Sequence, residues 1–431
     1  MSYRARIAVV GGGIAGLATS LQLARAGCDV TLYERSAAVG GRAVTTQNNG
    51  FHFNLGPHAV YPRSQKMLRD LGVELRGGNP DLKNGAYLFD GREFHRLPST
   101  ASSLLGSSAL SMGDKFEASL KLNGILNDDG DGLERLTVEQ WVSNRLHSQQ
   151  LRRFLHTLIR IASYTHAPDR LSAQVGAQQI RQTDVLYLDG GWQTIVDSLR
   201  ALVEDAGVMI NTEQRVEAIE TREDTYSLRL AGGEEAVVSA VVLAVAPPEV
   251  SRLLAEDRFG SVREKLAAAV PVQAAILDVA VSRRPARSVV LPLDRPLYYS
   301  VHSSVARLAP EGSAILSAAK YLTPGAPSDA ESDRKQLEDW LTLIEPAWRN
   351  VAVEQRFMPN LTVYNWLPSV AQGGLAGRPA VQAAPGVYLA GDWVGPEGML
   401  TDAVLASSLK AAKLAAAHAS RASQPEAAAL A

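Results

Sequence analysis

One segment near the N-terminus constrains the fold more than any other part of the chain. Residues Arg6–Val10 are a short run rich in β-branched side chains, typical of a buried strand, and a glycine-rich turn follows at once. Apolar and small residues then recur at helical spacing over Ile14–Ala26, and Gly27 ends the helix. Asp29–Glu34 is again typical of a strand. This segment therefore predicts a strand–helix–strand unit.

The glycines of the turn follow the spacing G-x-G-x-x-G. Gly11 permits a tight turn, Gly13 lets a pyrophosphate group approach the backbone, and Gly16 lets the helix pack closely on the strand. Glu34 closes the second strand, where an acidic side chain accepts hydrogen bonds from a ribose diol. The combination predicts a dinucleotide site, in preference to a glycine turn that serves packing alone.

Composition and charge exclude several classes of protein. The chain has 431 residues, a length that corresponds to two or three domains. Its net charge of -2 argues against nucleic acid as the main partner, since phosphate binding needs a basic surface. Cys28 is the single cysteine, which rules out an internal disulfide and a cysteine-built metal site. Because no stretch matches a signal peptide or a spanning helix, a cytoplasmic location is expected.

No metal site is expected. His147, His156 and His166 have no carboxylate or cysteine at ligand spacing. The acidic turn that begins at Asn127 imitates a calcium loop, but Val138 stands at its twelfth position, where a bidentate glutamate is required.

The residues after the second strand carry a more specific signal. Glu34 and Arg35 are followed shortly by Gly41 and Arg42. Here the sequence resembles the flavin-containing amine oxidoreductase superfamily, which includes monoamine oxidases, phytoene and squalene-type desaturases, and protoporphyrinogen oxidase. The resemblance implies that Arg42 contacts the phosphates of FAD, and a guanidinium suits such a contact. It also implies noncovalent FAD, because Cys28 lies far from the C-terminal segment where family members attach flavin through cysteine.

Later blocks extend the resemblance over most of the chain. The block that ends at His58 looks like the family segment that enters the flavin-ring pocket, and Val216 looks like the residue whose backbone meets the adenine. Asp392 would bind the ribityl or pyrophosphate region, and the helix that starts near Thr401 would aim its N-terminal amides at the flavin. The expected FAD-binding residues are Gly11, Gly13, Ile14, Ala15, Gly16, Glu34, Arg35, Gly41, Arg42, Gly56, Pro57, His58, Val216, Gly391, Asp392, Leu400, Thr401 and Ala403.

Two interleaved domains explain the alternation of strands and helices along the chain. We expect an α/β fold with a discontinuous Rossmann-type FAD-binding domain formed by residues 1–75, 190–250 and 376–420. Residues 76–189 and 251–375 would form an inserted mixed α+β substrate-binding domain, and residues 421–431 a C-terminal tail. One strand is expected over Ala236–Val245.

Three side chains are expected to serve the reaction. His58 would lie near the flavin ring as a base or a hydrogen-bond donor, and Trp366 and Trp393 would line the pocket and hold an apolar or conjugated substrate. The competing interpretations are a histidine that satisfies a backbone group and tryptophans that pack in the core. Many amine oxidases of the superfamily carry a lysine near the flavin, and Ala274 stands at the corresponding position.

Asp402 departs from the family pattern, which usually has glycine at this position. Three alternatives follow for its carboxylate. It points away from the cofactor, it caps the helix, or it disfavours the anionic reduced flavin.

These features predict an FAD-dependent oxidoreductase that abstracts hydride from an apolar or polycyclic small molecule and leaves a new double bond. Dioxygen, a quinone or another small oxidant would accept the electrons, and contact with a membrane surface stays open. One alternative is a flavin amine oxidase acting on a C–N bond, which the missing lysine disfavours. Another is a flavin-free lipid or prenyl carrier that resembles Rab GDP-dissociation inhibitors. Glu34, Arg42 and Asp392 argue against a carrier, which needs no ribose or phosphate ligands.

Overall fold

The computed structural model describes residues 5–98, 100–182 and 184–422. Its strands, in chain order, are β1 (Arg6–Val10), β2 (Asp29–Tyr33), β3 (Thr45–Asn48), β4 (Phe51–Asn54), β5 (Gly77–Gly78), β6 (Ala86–Phe89), β7 (Phe94–Arg96), β8 (Tyr187–Leu188), β9 (Met209–Asn211), β10 (Val216–Thr221), β11 (Tyr226–Leu230), β12 (Glu235–Val238), β13 (Ala240–Leu243), β14 (Val272–Val281), β15 (Val289–Pro292), β16 (Leu297–Ser300), β17 (Ala314–Tyr321), β18 (Ala352–Tyr364), β19 (Gln382–Ala384) and β20 (Val387–Leu389). Its helices are α1 (Ile14–Arg25), α2 (Pro62–Leu71), α3 (Ala101–Gly106), α4 (Met112–Leu126), α5 (Val138–Arg145), α6 (Gln149–Ser163), α7 (Ala173–Ile180), α8 (Gln193–Asp205), α9 (Pro247–Leu253), α10 (Gly260–Ala267), α11 (Ala330–Ile344), α12 (Trp348–Val351) and α13 (Leu400–Ala422).

A six-stranded sheet contains the N-terminal strand at its centre. Its order is β19-β20-β13-β1-β2-β9, and every pairing except that of β19 with β20 is parallel. Helix α1 packs on β2, α8 and α13. Four of the five β1 residues are buried, as expected for a strand covered on both faces. The expected α/β fold with a Rossmann-type unit is therefore confirmed.

A seven-stranded sheet of order β18-β14-β17-β16-β15-β6-β7 forms the second large layer. Its pairings are antiparallel except that of β15 with β6. Alternate residues of β14 face opposite sides of the sheet. Ala275 and Leu277 pack with residues of α11, whereas Ala274 and Ile276 pack in a different cluster together with Phe154 of α6. This second face of the sheet also borders the functional cavity described below.

The segment between residues 236 and 245 corrects one expectation from the sequence. It forms two strands, β12 and β13, which belong to different sheets: β12 pairs with β11, and β13 pairs with β1. The amide of Ser239, between them, donates to the carbonyl of Arg6. The expected single strand over Ala236–Val245 is therefore wrong, because the chain bends at Ser239 and passes there from one sheet to the other.

The six-stranded sheet takes its strands from three separate stretches of the chain, 6–33, 209–243 and 382–389. This arrangement supports the interleaved domains expected from the sequence, whose boundaries stay a proposal. Helix α13 extends to Ala422, so residues 421 and 422 of the expected tail are helical, and residues 423–431 lie outside the described residues. Within the described ranges, no helix is both long and apolar enough to cross a membrane.

Candidate active site

A cavity of about 650 Å³ lies between the glycine-rich turn and the seven-stranded sheet. One half is lined by the turn after β1, the end of β2 and the segment before α13. The other half is lined by β14, β16, β17 and β18. Small-molecule and cofactor sites commonly occupy about 300–1,000 Å³. The cavity therefore has the size and the position of a site that brings a cofactor and a substrate together.

The glycine-rich turn leaves its backbone open to this cavity. Gly11 has φ +106°, and a Cβ built there would lie 2.6 Å from the carbonyl oxygen of Ala244. A Cβ on Gly16 would lie 1.8 Å from the carbonyl oxygen of Gly11, so this glycine serves the packing of α1 on β1. At Gly13, by contrast, the nearest atom to a built Cβ is the carbonyl oxygen of Gly40, at 4.0 Å. A phosphate can thus approach the backbone at Gly13.

Glu34 follows β2 and faces the cavity. Its Oε2 accepts a hydrogen bond from the amide of Gly12 at 2.7 Å, and its Oε1 accepts one from the amide of Ser36 at 2.8 Å. These two donors hold the carboxylate in place. Since each carboxylate oxygen can accept more than one hydrogen bond, Glu34 retains capacity for the two hydroxyls of a ribose.

Arg42 and Asp392 form an ion pair across the cofactor half of the cavity. The Nη2 of Arg42 lies 2.5 Å from Oδ2 of Asp392, and its Nη1 donates to the carbonyl of Val363 at 2.9 Å. Asp392 is only 2% exposed and also accepts from Nδ2 of Asn365 at 3.0 Å. This contact joins the N-terminal and C-terminal blocks that the sequence assigned to one site, although 350 residues separate them.

The N-terminus of α13 borders the same cavity through Leu400 and Thr401. The third residue of this helix, Asp402, is 2% exposed and does not line the cavity. Its carboxylate accepts a hydrogen bond from the hydroxyl of Ser64 in α2, and burial raises its pKa. Of the three alternatives for Asp402, the structure supports the one in which the side chain points away from the cofactor.

The other half of the cavity, which we call the inner half, is apolar apart from three tyrosines and Thr362 of β18. Tyr164, Tyr298 and Tyr321 line it, and burial raises the pKa of each hydroxyl, so all three are neutral at pH 7. Tyr321 is 3% exposed, and its hydroxyl has no hydrogen-bond partner among the described residues. Aliphatic side chains complete the lining, namely Leu55, Ala274, Ile276, Ala319 and Leu361. A polar group of a bound molecule could satisfy the Tyr321 hydroxyl.

No lysine lines this cavity within the described residues. Ala274 occupies its position on β14 with a methyl group. The nearest lysine in the sheet pairing is Lys320 of β17, which is paired with Ala275 and therefore faces the opposite side of the sheet. Its Nζ lies 2.6 Å from Oδ1 of Asp333 in α11.

His58 lies at the junction of the two halves of the cavity. Its Nδ1 lies 2.9 Å from the carbonyl oxygen of Gly56, which can only accept a hydrogen bond, so Nδ1 carries a proton. Burial lowers the pKa of His58 to about 4, and the ring is therefore neutral at pH 7 with Nε2 unprotonated. The ring of Trp192 packs edge-on against it, with centroids 4.8 Å apart. The arrangement leaves one nitrogen able to accept a proton.

Most of the residues expected from the sequence lie together around the cavity. The lining includes Gly11, Gly13, Ile14, Ala15, Glu34, Arg35, Gly41, Arg42, Pro57, His58, Val216, Gly391, Asp392, Trp393, Leu400 and Thr401. Gly16, Gly56, Ala403 and Trp366 do not line it. Trp366 is 1% exposed and belongs to the core cluster of the six-stranded sheet. The expected contact of Trp366 with a substrate is therefore corrected: its indole packs in the core.

The tyrosines and Trp192 were not identified from the sequence as site residues. Tyr298 and Tyr321 reach the cavity through the pairing of β16 with β17, a contact between strands that no local pattern reveals. Trp192 follows the glycine pair Gly190–Gly191 directly before α8, a local pattern typical of the start of a helix. A local signal was thus available for Trp192 alone.

The cofactor half of the cavity fits FAD. It offers an open glycine backbone for a pyrophosphate, a carboxylate at Glu34 for a ribose, and a guanidinium at Arg42 for phosphate oxygens. A helix N-terminus, that of α13, faces the middle of the cavity and favours negative charge there. Cys28 is not among the lining residues, which agrees with noncovalent binding of the cofactor.

Comparison with known proteins agrees with this geometry. Residues 14–416 match the family model described as flavin containing amine oxidoreductase. A 4,4'-diaponeurosporene oxygenase of Staphylococcus aureus is 26% identical over 268 residues, which cover 52% of this chain and 52% of that protein. The chain thus spans about half the length of the curated relatives it matches.

Solved structures share the fold at low sequence identity. An oxidoreductase from Methanosarcina mazei superposes with a TM-score of 0.75 at 16% identity, over 95% of this chain and 100% of the other. A protein described as a putative protoporphyrinogen oxidase from Exiguobacterium superposes with a TM-score of 0.71 at 16% identity, over 96% and 99%. Because the family model covers nearly the whole chain and the cavity fits FAD, this protein belongs to the flavin-containing amine oxidoreductase family.

Proposed function

We propose that this protein is an FAD-dependent oxidoreductase that dehydrogenates an apolar small molecule and leaves a new double bond in it. The observation that carries the proposal is the chemistry of the inner half of the cavity. Its lining is mostly aliphatic, and its polar groups are three neutral tyrosines, among them Tyr298 and Tyr321, and the hydroxyl of Thr362. Such a lining holds an uncharged substrate by contact area and orients it through few polar groups.

Different groups in the cavity are proposed to serve different steps of a dehydrogenation. Bound FAD supplies the hydride acceptor, and dioxygen, a quinone or another small oxidant is proposed to remove the two electrons afterwards. The substrate also loses a proton from the neighbouring carbon, and the unprotonated Nε2 of His58 is proposed to receive it. The tyrosines and aliphatic side chains position the substrate and exclude water, which is most of what hydride transfer requires from a protein.

Oxidation of an amine is less consistent with this lining. The carboxylates that line the cavity are Glu34, Glu249 and Asp392, and all three lie in the cofactor half. The inner half therefore offers no negative charge to attract an ammonium group. A flavin-free carrier is disfavoured too, because it would have no use for the ion pair of Arg42 with Asp392 or for the carboxylate of Glu34.

Contact with a lipid surface forms a second part of the proposal, since an apolar substrate partitions into membranes. Helix α4 exposes Met112, Phe116 and Leu120, which are 78%, 69% and 66% exposed and lie at positions i, i+4 and i+8. Leu105 of the preceding helix is 49% exposed. The opposite face of α4 is buried through other apolar residues, so the exposed set serves no packing within the described chain. We name these four residues the α4 stripe and propose that it contacts lipid.

The experiment for the reaction is anaerobic bleaching of the visible flavin absorption. The purified protein is loaded with FAD, and candidate substrates are added in detergent: 4,4'-diaponeurosporene, because that molecule is named in the description of a relative, further apolar polyenes and sterols, and a series of alkyl amines. The expected result is bleaching by at least one apolar compound together with a product two hydrogens lighter by mass spectrometry. Bleaching by amines alone would replace this proposal with amine oxidation, and failure to bind FAD would favour a carrier.

A further inference from the structure

A second cavity, of about 240 Å³, lies between α6 and the connection from β15 to β16. It shares no lining residue with the flavin cavity. Helix α6 contributes Arg153, His156 and Arg160, whose spacing of three and four residues places them on one face of the helix. The connection contributes Asp294 and Arg295. The lining is thus rich in groups that donate hydrogen bonds to anions.

The Arg160 guanidinium is buried without an opposite charge of its own. The residue is 7% exposed. Its Nη2 donates to the carbonyl of Pro292 at 2.8 Å and to the hydroxyl of Thr157 at 3.2 Å. Within the described chain, no carboxylate lies within ion-pair distance of Arg160, and its Nε and Nη1 make no hydrogen bond. The guanidinium carbon also lies 5.9 Å from the centre of the Tyr321 ring, so the described residues give this charge hydrogen bonds and a ring contact but no carboxylate.

The neighbouring carboxylates Asp294 and Glu139 pair with groups other than Arg160. Asp294 forms an ion pair with Arg295, whose Nε lies 3.0 Å from each carboxylate oxygen. Glu139 lies 3.4 Å from Nε2 of His156 and is not among the lining residues. Among the residues that line the cavity, three arginines stand against one aspartate, so the lining itself has a net positive charge, while Glu139 and Asp169 lie outside it near His156 and His166.

Two histidines add hydrogen-bonding capacity without adding charge. Burial and the nearby Arg160 guanidinium lower the pKa of His166 to about 4, and burial likewise lowers the pKa of His156. Both rings are therefore neutral at pH 7 and can each donate one hydrogen bond. Thr165 also lines the cavity, but its hydroxyl is already hydrogen-bonded to the carbonyl of Ser163 and to the hydroxyl of Tyr364.

We propose that this cavity binds a small molecule through a carboxylate or phosphate group, with Arg160 as its inner contact and Arg153 as its contact at the solvent-exposed rim. An oxyanion supplies the missing opposite charge, and the free Nη1 and Nε of Arg160 can each donate a charge-assisted hydrogen bond to it. The site is separate from the flavin cavity, so it binds a ligand in addition to the substrate and the cofactor.

The test measures binding of two probes, inorganic phosphate and succinate, by isothermal titration calorimetry at constant ionic strength. The protein is loaded with FAD, so that the phosphate site of the nucleotide cleft is already filled. The variants are Arg160→Gln and Arg153→Gln, and the control is Arg284→Gln, which removes the same charge from an exposed position outside the cavity. The expected result is saturable binding of at least one probe, weakened by about tenfold or more in both cavity variants and unchanged in the control.

Three outcomes would overturn the proposal: no saturable binding of either probe, binding equally strong in Arg153→Gln, or binding weakened equally in Arg284→Gln. The stability of Arg160→Gln gives a separate readout. If Arg160 only supports the fold through Pro292, the variant unfolds more easily. If the buried charge is kept for a ligand, the variant without ligand is at least as stable as the parent and loses the stabilisation that the bound probe gives.

Discussion

Arg42 and Asp392 form an ion pair that joins the N-terminal and C-terminal parts of the chain beside the expected FAD site. Replacing either residue leaves the other without its partner. We predict that Arg42→Ala weakens FAD binding by about ten- to a hundredfold, because a charge-assisted hydrogen bond contributes about 1.5–3 kcal/mol. Reconstitution of the apoprotein with FAD, followed by flavin fluorescence, gives the dissociation constant. Arg63→Ala is the control, because Arg63 pairs with Glu397 and does not line the cavity. Equal affinity in Arg42→Ala and the parent would contradict the assignment of Arg42.

Tyr321 and Tyr364 form a matched pair of buried tyrosines. The hydroxyl of Tyr364 is hydrogen-bonded to that of Thr165, whereas the hydroxyl of Tyr321 has no partner in the described chain. We predict that Tyr364→Phe lowers the free energy of unfolding by about 0.5–1.5 kcal/mol and that Tyr321→Phe leaves it unchanged or raises it. Urea unfolding measures both. If Tyr321→Phe also raises KM for the substrate, the free hydroxyl serves recognition, and a large loss of stability in this variant would show that it serves packing.

At the scale of residues, the sequence identified the cofactor half of the cavity better than the substrate half. Gly11, Gly13 and Glu34 are encoded within one local unit, so their spacing alone places them together. Tyr298 and Tyr321, in the other half, come from strands that meet only through long-range pairing, and Tyr164 comes from the end of α6. Trp366 illustrates the same limit, because no local pattern distinguishes an indole in the core from one that lines a pocket.

Helix α4 carries two apolar faces, and only one of them is covered. We predict that the double variant Met112→Ser with Phe116→Ser binds uncharged phosphatidylcholine vesicles at least about tenfold more weakly than the parent, since each buried apolar side chain contributes about 1.5–3 kcal/mol. Vesicle co-sedimentation measures the affinity. Met209→Ser is the control, because Met209 is 62% exposed and lies on β9, outside the α4 stripe. The proposed lipid contact is wrong if the parent does not sediment with vesicles or if the control weakens binding equally.

Elements were easiest to predict where the apolar pattern and a glycine agreed. The strands and the helix of the first unit match their expected positions within one residue. The segment over Ala236–Val245 failed because a continuous apolar run does not reveal that its two halves pair with different sheets. A strand assignment thus needs the partner strand as well as the pattern.

At the scale of the whole molecule, buried histidines that are uncharged in the folded protein make its stability depend on pH. Burial lowers the pKa of His58 to about 4 and that of His302, which stacks on Tyr187 with ring centroids 3.7 Å apart, to about 3. In the unfolded chain both rings titrate near pH 6.5. As the pH falls, the unfolded chain therefore binds protons first, and the stability that is fully present above about pH 7 is lost progressively towards pH 4.

We predict that each of these histidines lowers the free energy of unfolding by about 1.4 kcal/mol per pH unit between about pH 6 and pH 5. Urea unfolding of the FAD-loaded protein at several pH values measures the slope. In His302→Gln the replaced side chain cannot be protonated, so the slope of the free energy of unfolding against pH should lose the contribution of that one histidine. His147→Gln, at an exposed position, is the control and should leave the slope unchanged. A flat profile down to pH 5 would mean that these rings are hydrated in solution. The inner half of the cavity would then be wet, which argues against an apolar substrate. A slope that depends on His302, which is buried outside the cavity, shows that this ring stays uncharged in the folded protein and that its protonation limits the stability of the fold in acid.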